Sequence, residues 1–352
     1  MNKLLSFTLL ILTIISFSYK VVYYKANLFG ADVITGAFFN TLEMPVKVPE
    51  LKNVKRVVEE VETPPSTLML IRKGKGDPII LVHGLDTHEI QKESPYKKLF
   101  IDTVLKAMKN LGLTNPLYMY IYPSCFESMW MSGKRLSDFS KELGIKNAIV
   151  IAHSKGGLVT RAALFFGDFK RRVKKIYFLG TPHFGSIYAD AFLISPNDFE
   201  KYFKVDQRIA DLLRKTLVLS YSLGFIDSPG SRELAWMNPL LPPFVNYPDI
   251  QFVFISGMIE SMSIDDIERY LTINMKKLIL VPSGFSLFYL GLISNLMLNT
   301  KPFIAAVDGL VPVKSALALG KLKGRKYLLA GYNHAGLFSD VKLMEDILKG
   351  KY

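Results

Sequence analysis

Two patterns of apolar and polar positions alternate along most of the chain. Apolar segments rich in β-branched and aromatic residues predict strands at residues 68–72, 78–83, 117–122, 147–152, 175–180, 251–257 and 325–330. Helical periodicity separates most of them, at residues 96–111, 128–143 and 335–348. This alternation is typical of a mainly parallel sheet with helices on both faces. We therefore predict an α/β fold whose chemistry lies at the carboxyl ends of the strands.

Two longer segments interrupt the alternation, at residues 187–247 and 258–302. The second contains an uncharged run, residues 278–298, which hydropathy alone would assign to a transmembrane span. Pro282, Ser283 and Gly284 break this run. We interpret both segments as insertions into one α/β domain.

The N-terminus differs from the rest of the chain. Lys3 precedes an uncharged run, residues 4–17, which is typical of the apolar region of a secretory signal and predicts export. No Ala-x-Ala cleavage site follows, and the apolar residues 21–24 favour an uncleaved anchor over a cleaved peptide. We predict a signal peptide or N-terminal membrane anchor over residues 1–24, a connecting segment over 25–65 and the main domain over 66–352. The domain is expected to lie outside the cytoplasm, either anchored to the membrane or secreted.

The amino-acid composition limits the kinds of partner that the protein can have. A chain of 352 residues with 49% hydrophobic residues can bury one large core. The single cysteine, Cys125, excludes an intramolecular disulfide. The net charge of +13 is dispersed and no nucleic-acid-binding motif occurs, so no nucleic acid partner is expected. In an exported protein this charge favours a membrane surface carrying anionic lipids, or serves solubility alone. The sequence leaves the oligomeric state open.

The most informative motif is residues 152–157, Ala-His-Ser-Lys-Gly-Gly, between the predicted strand 147–152 and a helix-forming stretch. A serine at such a strand-to-helix turn occupies a nucleophile elbow, where only small residues fit two positions before and after it. Ala152 and Gly156 meet that requirement around Ser154. The helix N-terminus then points at the hydroxyl, so the amide of Lys155 can donate to an oxyanion.

A serine nucleophile needs a base, and His334 is the best candidate among five histidines because it follows the last predicted strand. His83, His153 and His183 lie in other motifs and are expected to be structural. The acid should come from a loop between serine and histidine, and Asp308 lies there in a turn marked by glycine and proline. The competing carboxylates lie earlier in the chain: Asp227, Asp249, Asp265 and Asp266.

Four motifs together resemble the lipase branch of the α/β-hydrolase superfamily, including relatives of the inositol deacylases that process lipid anchors. They lie at residues 82–85, 152–161, 179–186 and 308–312. Residues 228–234 also look like a motif of this branch. The resemblance implies an α/β-hydrolase fold, a Ser154–Asp308–His334 triad, and a second oxyanion amide at Leu85. It implies no metal or organic cofactor, and no structural calcium is expected because residues 335–338 lack the aspartate that calcium-dependent lipases carry after the histidine.

The triad decides how the uncharged run is interpreted. A span between Ser154 and His334 would place the two residues on opposite sides of a bilayer, where they could not share a proton. We therefore expect residues 282–298 to form part of a cap over an acyl pocket, with Phe285, Phe288 and Leu292 as substrate contacts.

The expected function is hydrolysis of carboxylic esters, lipid esters above all, through an acyl-enzyme. A phospholipase, an amidase and a lipid-anchor deacylase remain alternatives, because one triad serves all of these bonds. A catalytically silent, membrane-tethered scaffold is the alternative outside enzymes.

Overall fold

The computed structural model describes residues 18–28, 31–39, 54–62, 65–86, 94–186, 225–227, 229–258, 308 and 310–352. The strands in chain order are β1 (Ser18–Leu28), β2 (Ala31–Phe39), β3 (Val54–Glu62), β4 (Thr67–Arg72), β5 (Ile79–Val82), β6 (Leu117–Ile121), β7 (Ala148–His153), β8 (Val173–Leu179), β9 (Phe225–Asp227), β10 (Gln251–Met258) and β11 (Arg325–Ala330). The helices are α1 (Pro95–Asn110), α2 (Met129–Glu142), α3 (Lys155–Ala163), α4 (Phe169–Arg172), α5 (Pro229–Arg232), α6 (Val313–Ala316), α7 (Gly336–Ser339) and α8 (Val341–Leu348).

The main sheet has seven strands in the order β11-β10-β8-β7-β5-β6-β4. All neighbouring pairs are parallel except β4 and β6, which are antiparallel. Each of the seven predicted strands coincides with a strand of this sheet, so the predicted α/β fold is confirmed. The parallel strands bring the ends of β5, β7, β8, β10 and β11 to one edge.

Helices cover both faces of this sheet, and the central strands are buried on both sides. In β5, Ile80 and Val82 face one apolar cluster, together with residues of α2 and α3. Ile79 and Leu81 face the other, together with residues of α1 and α8. Successive strand residues point to opposite faces, so a strand that is apolar throughout is expected where both faces are covered.

The predicted helix over residues 335–348 consists of two helices in the structure, α7 and α8. The break lies at Asp340, whose backbone is extended and whose carboxylate accepts a hydrogen bond from the amide of Leu343 at 2.9 Å. An aspartate that caps a new helix in this way ends the preceding one. Helical periodicity alone did not reveal the break.

A second sheet has the order β3-β1-β2-β9. The predicted connecting segment, residues 25–65, includes the end of β1 and the whole of β2 and β3, and β1 pairs antiparallel with both others. β1 and β2 are separated by only two residues along the chain, whereas β3 pairs with β1 from further along the sequence. The apolar residues 21–24 suit a strand as well as an anchor, so hydropathy alone did not distinguish the two. Residues 18–24, predicted as the end of a leader or anchor, belong to β1.

Residues 1–17 and most of both predicted insertions lie outside the described residues. Among the helices that the structure describes, none combines the length and apolar character needed to cross a membrane.

Candidate active site

Ser154 lies directly between β7 and α3, in a backbone conformation that is rare for a residue with a side chain, at φ 54° and ψ −127°. Its amide donates to the carbonyl of Leu179 on the neighbouring strand at 2.9 Å. Gly156 permits the tight turn, because a Cβ there would lie 2.4 Å from the carbonyl oxygens of Val82 and His83. The predicted elbow geometry is thus present, and the side chain of Ser154 makes no capping hydrogen bond with α3. A strained backbone of this kind persists only because the surrounding structure holds it.

Asp308 and His334 form a buried pair beyond the ends of the neighbouring strands. The Nδ1 atom of His334 lies 2.7 Å from Oδ2 of Asp308, and both side chains are almost wholly buried. The other carboxylate oxygen, Oδ1, accepts hydrogen bonds from the amides of Leu310 and Val311 at 3.0 and 2.8 Å. A backbone hydrogen bond also joins the two residues, because the amide of His334 donates to the carbonyl of Asp308 at 2.7 Å. A carboxylate held in this way can accept only from Nδ1–H, which leaves Nε2 as the basic nitrogen.

Gly180 connects the serine to this pair. Its neighbour Leu179 accepts the hydrogen bond from the amide of Ser154. A Cβ on Gly180 would stand 2.8 Å from Oδ2 of Asp308 and 2.9 Å from Nδ1 of His334. The end of β8 therefore contacts the nucleophile elbow on one side and the Asp–His pair on the other.

His153, the residue before the serine, bridges two loops. Its Nδ1 lies 2.5 Å from the hydroxyl of Tyr96, and its Nε2 lies 3.0 Å from the carbonyl oxygen of His334. The Tyr96 hydroxyl in turn accepts from the amide of Gly84 at 2.7 Å. Burial lowers the pKa of His153 well below its usual value, so the ring is neutral and donates from one nitrogen only. His153 is structural, as predicted, whereas no sequence motif indicated Tyr96.

The loop after β5 brings Gly84, the residue before the predicted oxyanion residue Leu85, beside the elbow. A Cβ on Gly84 would lie 2.6 Å from Cβ of Ser154. His83 shapes the loop, as predicted. Its Nδ1 lies 2.7 Å from the carbonyl oxygen of Gly84, and the amide of Tyr122 donates to its Nε2 at 3.4 Å. Burial lowers the pKa of His83 to about 3, so this ring is neutral too.

Arg161 and His183 lie away from these residues. The guanidinium of Arg161 donates to the carbonyls of Pro242 and His183 and stacks over Phe244. It ties the segment before β10 to α3, which agrees with the predicted tether. His183 is fully buried, and its Nε2 has no hydrogen-bond partner among the described residues.

The other candidate residues have different outcomes. Asp249 is exposed before β10, at the strand end opposite the site, and Asp227 belongs to β9 in the small sheet. The remaining ones lie outside the described residues: Asp265, Asp266, Phe285, Phe288 and Leu292. No group of three or more His, Cys, Asp or Glu side chains suited to a metal ion occurs in the part of the chain that the structure describes. The expectation of a reaction without a cofactor stays a prediction.

No curated protein matches the sequence. Among solved structures, a lipase of Bacillus licheniformis in its mature form is similar, with 18% identity, a TM-score of 0.49, and coverage of 81% of this chain and 97% of its own. An esterase from Exiguobacterium antarcticum has 12% identity, a TM-score of 0.43, and coverage of 82% and 96%. The naproxen esterase of Bacillus subtilis has 12% identity, a TM-score of 0.37, and coverage of 83% and 89%.

The sequence also matches a protein-family model, which shows the family of the chain. The model of the PGAP1-like alpha/beta domain matches residues 84–266, just over half of the chain. The match begins at the loop beside the elbow and includes Ser154. Together with the topology of the main sheet, it confirms the predicted superfamily and the prediction of a hydrolytic enzyme. The chain belongs to the family of the PGAP1-like alpha/beta domain, within the α/β-hydrolase superfamily.

Proposed function

We propose that this protein is a serine hydrolase that cleaves carboxylic esters of lipids, with Ser154 as nucleophile, His334 as base and Asp308 as the acid that orients the base. One observation carries the proposal: the buried 2.7 Å contact between His334 and Asp308 lies at the sheet edge where a strained elbow presents Ser154. A carboxylate, an imidazole and a serine hydroxyl at one edge of an α/β sheet are the components of acyl transfer.

The chemistry follows from the hydrogen bonds of Asp308. Because Oδ2 accepts from Nδ1–H, Nε2 of His334 is free to take the proton of the Ser154 hydroxyl as its oxygen bonds to the ester carbon. The alcohol leaves with that proton, and an acyl-enzyme forms. Water then gives a proton to Nε2 as its oxygen attacks the acyl carbon, and Nε2 returns that proton to the Ser154 oxygen as the acid leaves, which restores the hydroxyl and the neutral imidazole. Asp308 stabilises the imidazolium in both steps.

Two amides are proposed to stabilise the oxyanion. Lys155 begins α3, so its N–H lies at a helix N-terminus, where partial positive charge concentrates. Leu85 follows Gly84, which contacts Cβ of Ser154 closely. Two such donors near the serine can bind the carbonyl oxygen as it gains charge.

The lipid nature of the substrate rests on the sequence. The uncharged run at residues 282–298 lies between β10 and Asp308, and a cap there would place apolar side chains over the ester. Each buried acyl methylene contributes about 0.8 kcal/mol to binding. We also propose that the uncharged N-terminal run exports the protein and holds it at a membrane, where the net charge of +13 favours anionic lipids. Protease accessibility of the domain in intact spheroplasts tests export.

Labelling by a fluorophosphonate and hydrolysis of p-nitrophenyl esters test the catalytic proposal. Wild-type protein is expected to react with the probe and to hydrolyse octanoate and longer esters faster than acetate. A folded Ser154→Ala variant is expected to lose labelling and about a thousandfold or more of the activity. Ser140→Ala is the matched control, because the hydroxyl of this buried serine donates within α2, to the carbonyl of Leu136. Full activity in Ser154→Ala would refute the assignment.

Assays on a phospholipid, an aryl amide and an acylated inositol lipid distinguish the alternatives. A folded wild-type protein that neither labels nor turns over any of these substrates would favour the non-enzymatic scaffold.

A further inference from the structure

The side chain of Lys155 is fully buried beneath the elbow. Its ammonium lies 2.7 Å from the carbonyl oxygen of Ser124, 3.1 Å from that of Gly230 and 3.3 Å from that of Glu127. A carboxylate oxygen of Glu233 lies 3.3 Å away. A buried charge is costly unless it is paired and hydrogen-bonded, and these four oxygens meet that requirement.

Ser124 connects this ammonium to the loop after β5. The carbonyl of Ser124 accepts from Lys155, while its hydroxyl oxygen accepts from the amide of Asp86 at 2.8 Å. The thiol of Cys125 donates to the carbonyl of Asp86 at 3.3 Å. Asp86 directly follows Leu85. One residue therefore joins the side chain of Lys155 to the backbone next to Leu85, the two residues whose amides are proposed to bind the oxyanion.

The segment around α5 closes over the ammonium from the other side. Gly230 donates from its amide to the carbonyl of Cys125 at 2.9 Å, and a Cβ at Gly230 would lie 1.9 Å from the carbonyl oxygen of Ser124. Glu233 also accepts from the amide of Met129 at 2.9 Å, which ties it to the start of α2. The two segments are packed on Lys155 so closely that the ammonium has little freedom to shift.

Catalysis by the ammonium itself does not fit this geometry. An ammonium has three N–H donors, and four acceptors already surround this one. It has no lone pair for a proton of Ser154. The ammonium can therefore affect catalysis only by positioning the groups that it hydrogen-bonds.

We propose that Lys155 is a positioning residue, whose buried ammonium fixes the distance between the two oxyanion amides through Ser124, with Glu233 balancing its charge. The inference rests on the proposed serine hydrolase function. Oxyanion donors act over a narrow range of about 2.7–3.1 Å, so a small displacement of either amide weakens binding of the transition state more than binding of the ester. The residue that supplies one amide through its backbone thus aligns the other through its side chain.

The test compares Lys155→Met and Glu233→Gln with Lys134→Met. Methionine keeps the length of the lysine stem and removes the charge. Lys134 is the matched control, because it forms an exposed ion pair with Asp138 at 2.7 Å on α2. A long-chain p-nitrophenyl ester gives kcat and KM. A trifluoromethyl ketone with the same acyl chain gives an inhibition constant for the tetrahedral adduct, in which the Ser154 oxygen bonds to the ketone carbon, the proton passes to His334, and the ketone oxygen becomes the oxyanion.

We expect Lys155→Met to lower kcat by about 10- to 100-fold with little change in KM, and to raise the inhibition constant of the ketone by a similar factor. Glu233→Gln should give a smaller change in the same direction, and Lys134→Met none. If Lys155→Met does not fold, Ser124→Ala provides the measurement, because it removes only the hydroxyl that binds the amide of Asp86.

Unchanged kcat in folded Lys155→Met, or a loss of kcat without a weaker ketone, would overturn the inference. The same results in Ser124→Ala would overturn it where the first variant does not fold. If the wild-type protein is active in the same assays, these results leave the proposed function intact. Wild-type protein that neither hydrolyses the ester nor reacts with a fluorophosphonate overturns the proposed function and the inference together.

Discussion

His153 holds the backbone of His334, with its Nε2 3.0 Å from the carbonyl oxygen of that residue and the two rings 4.5 Å apart. The direction of the hydrogen bonds follows from Tyr96. Burial raises the pKa of the Tyr96 hydroxyl, which therefore stays protonated and donates to Nδ1 of His153. Nε2 of His153 then carries the hydrogen that His334 accepts. The chain of bonds continues to the amide of Gly84, so one buried imidazole links the loop of Leu85 to the loop of the proposed base.

Tyr96→Phe should destabilise the loop of Leu85 and the loop of His334 together. The variant leaves Nδ1 of His153 and the amide of Gly84 without their buried partner, at a cost of about 1–3 kcal/mol in unfolding free energy. We expect a lower kcat in addition, because both loops adjoin Ser154. Urea unfolding and ester hydrolysis measure the two effects.

Tyr177→Phe is the control for that prediction. Its hydroxyl donates to the carbonyl of Ile347 at 2.9 Å, on the side of the sheet covered by α8. This variant should lose stability and keep its kcat. Equal kcat in both variants would show that Tyr96 contributes to folding alone.

Asp308→Asn should preserve the turn at residues 308–311 and change the tautomer of His334. An amide oxygen can still accept from the amides of Leu310 and Val311, but the amide nitrogen then faces Nδ1 of His334 and favours the tautomer protonated at Nε2. That tautomer cannot take the proton of Ser154. We expect kcat to fall by about 10³- to 10⁴-fold with an unchanged circular dichroism spectrum. A loss below tenfold would contradict the proposed role of Asp308.

Much of this site could be predicted because its components are encoded locally. The elbow needs a serine between a strand and a helix with small residues around it, and the turn at Asp308 carries its own glycine and proline. The seven strands of the main sheet are short apolar segments, buried on one or both faces, which periodicity identifies.

Some of the remaining features depend on contacts between distant residues. Tyr96 and His153 meet across 57 positions, and no spacing in a single sequence reports that meeting. Lys155 was assigned a role for its amide alone, since nothing local indicates that its side chain turns inward to Glu233. The strands β1, β2 and β3 were missed for a different reason: β1 and β2 are neighbours in sequence, but the apolar residues 21–24 were assigned to an anchor and the following residues to a connecting segment.

Gly180→Ala tests whether a side chain at this position disrupts the Asp308–His334 contact, beyond the backbone strain that alanine causes at a positive φ. The new Cβ would lie 2.8 Å from Oδ2 of Asp308 and 2.9 Å from Nδ1 of His334, so the 2.7 Å contact between them must shift. Gly144→Ala is the matched control, because Gly144 has a similar positive φ, 61° against 55°, and nothing within 4 Å of the added carbon. Both variants should lose about 1 kcal/mol of stability from the backbone, and Gly180→Ala more. Only Gly180→Ala should lose most of its esterase activity, and parallel activities would refute the steric argument.

Three buried histidines should make the protein sensitive to acid. Burial lowers the pKa of His83 to about 3 and lowers those of His153 and His183 well below the usual 6.5. Below pH 6.5 the unfolded chain binds protons that the folded chain excludes, so stability falls as the pH falls. Each such histidine should remove about 1.4 kcal/mol of unfolding free energy per pH unit, down to its folded pKa.

His183→Phe isolates one of these contributions away from the proposed catalytic residues. His183 packs edge-on against Phe178 and Phe254, at 4.8 and 5.2 Å between ring centroids, so a phenyl ring suits the site. The variant removes the unpartnered Nε2 together with the 3.2 Å contact between Nδ1 and the Arg161 guanidinium, while the carbonyl at position 183 still accepts from Arg161. Urea unfolding at pH 7.5, 6.5 and 5.5 should therefore give a shallower decline for the variant, by about 1 kcal/mol between pH 6.5 and 5.5, where the unfolded histidine goes from half to almost fully protonated. Parallel declines for variant and wild type would mean that His183 takes up a proton in the folded protein.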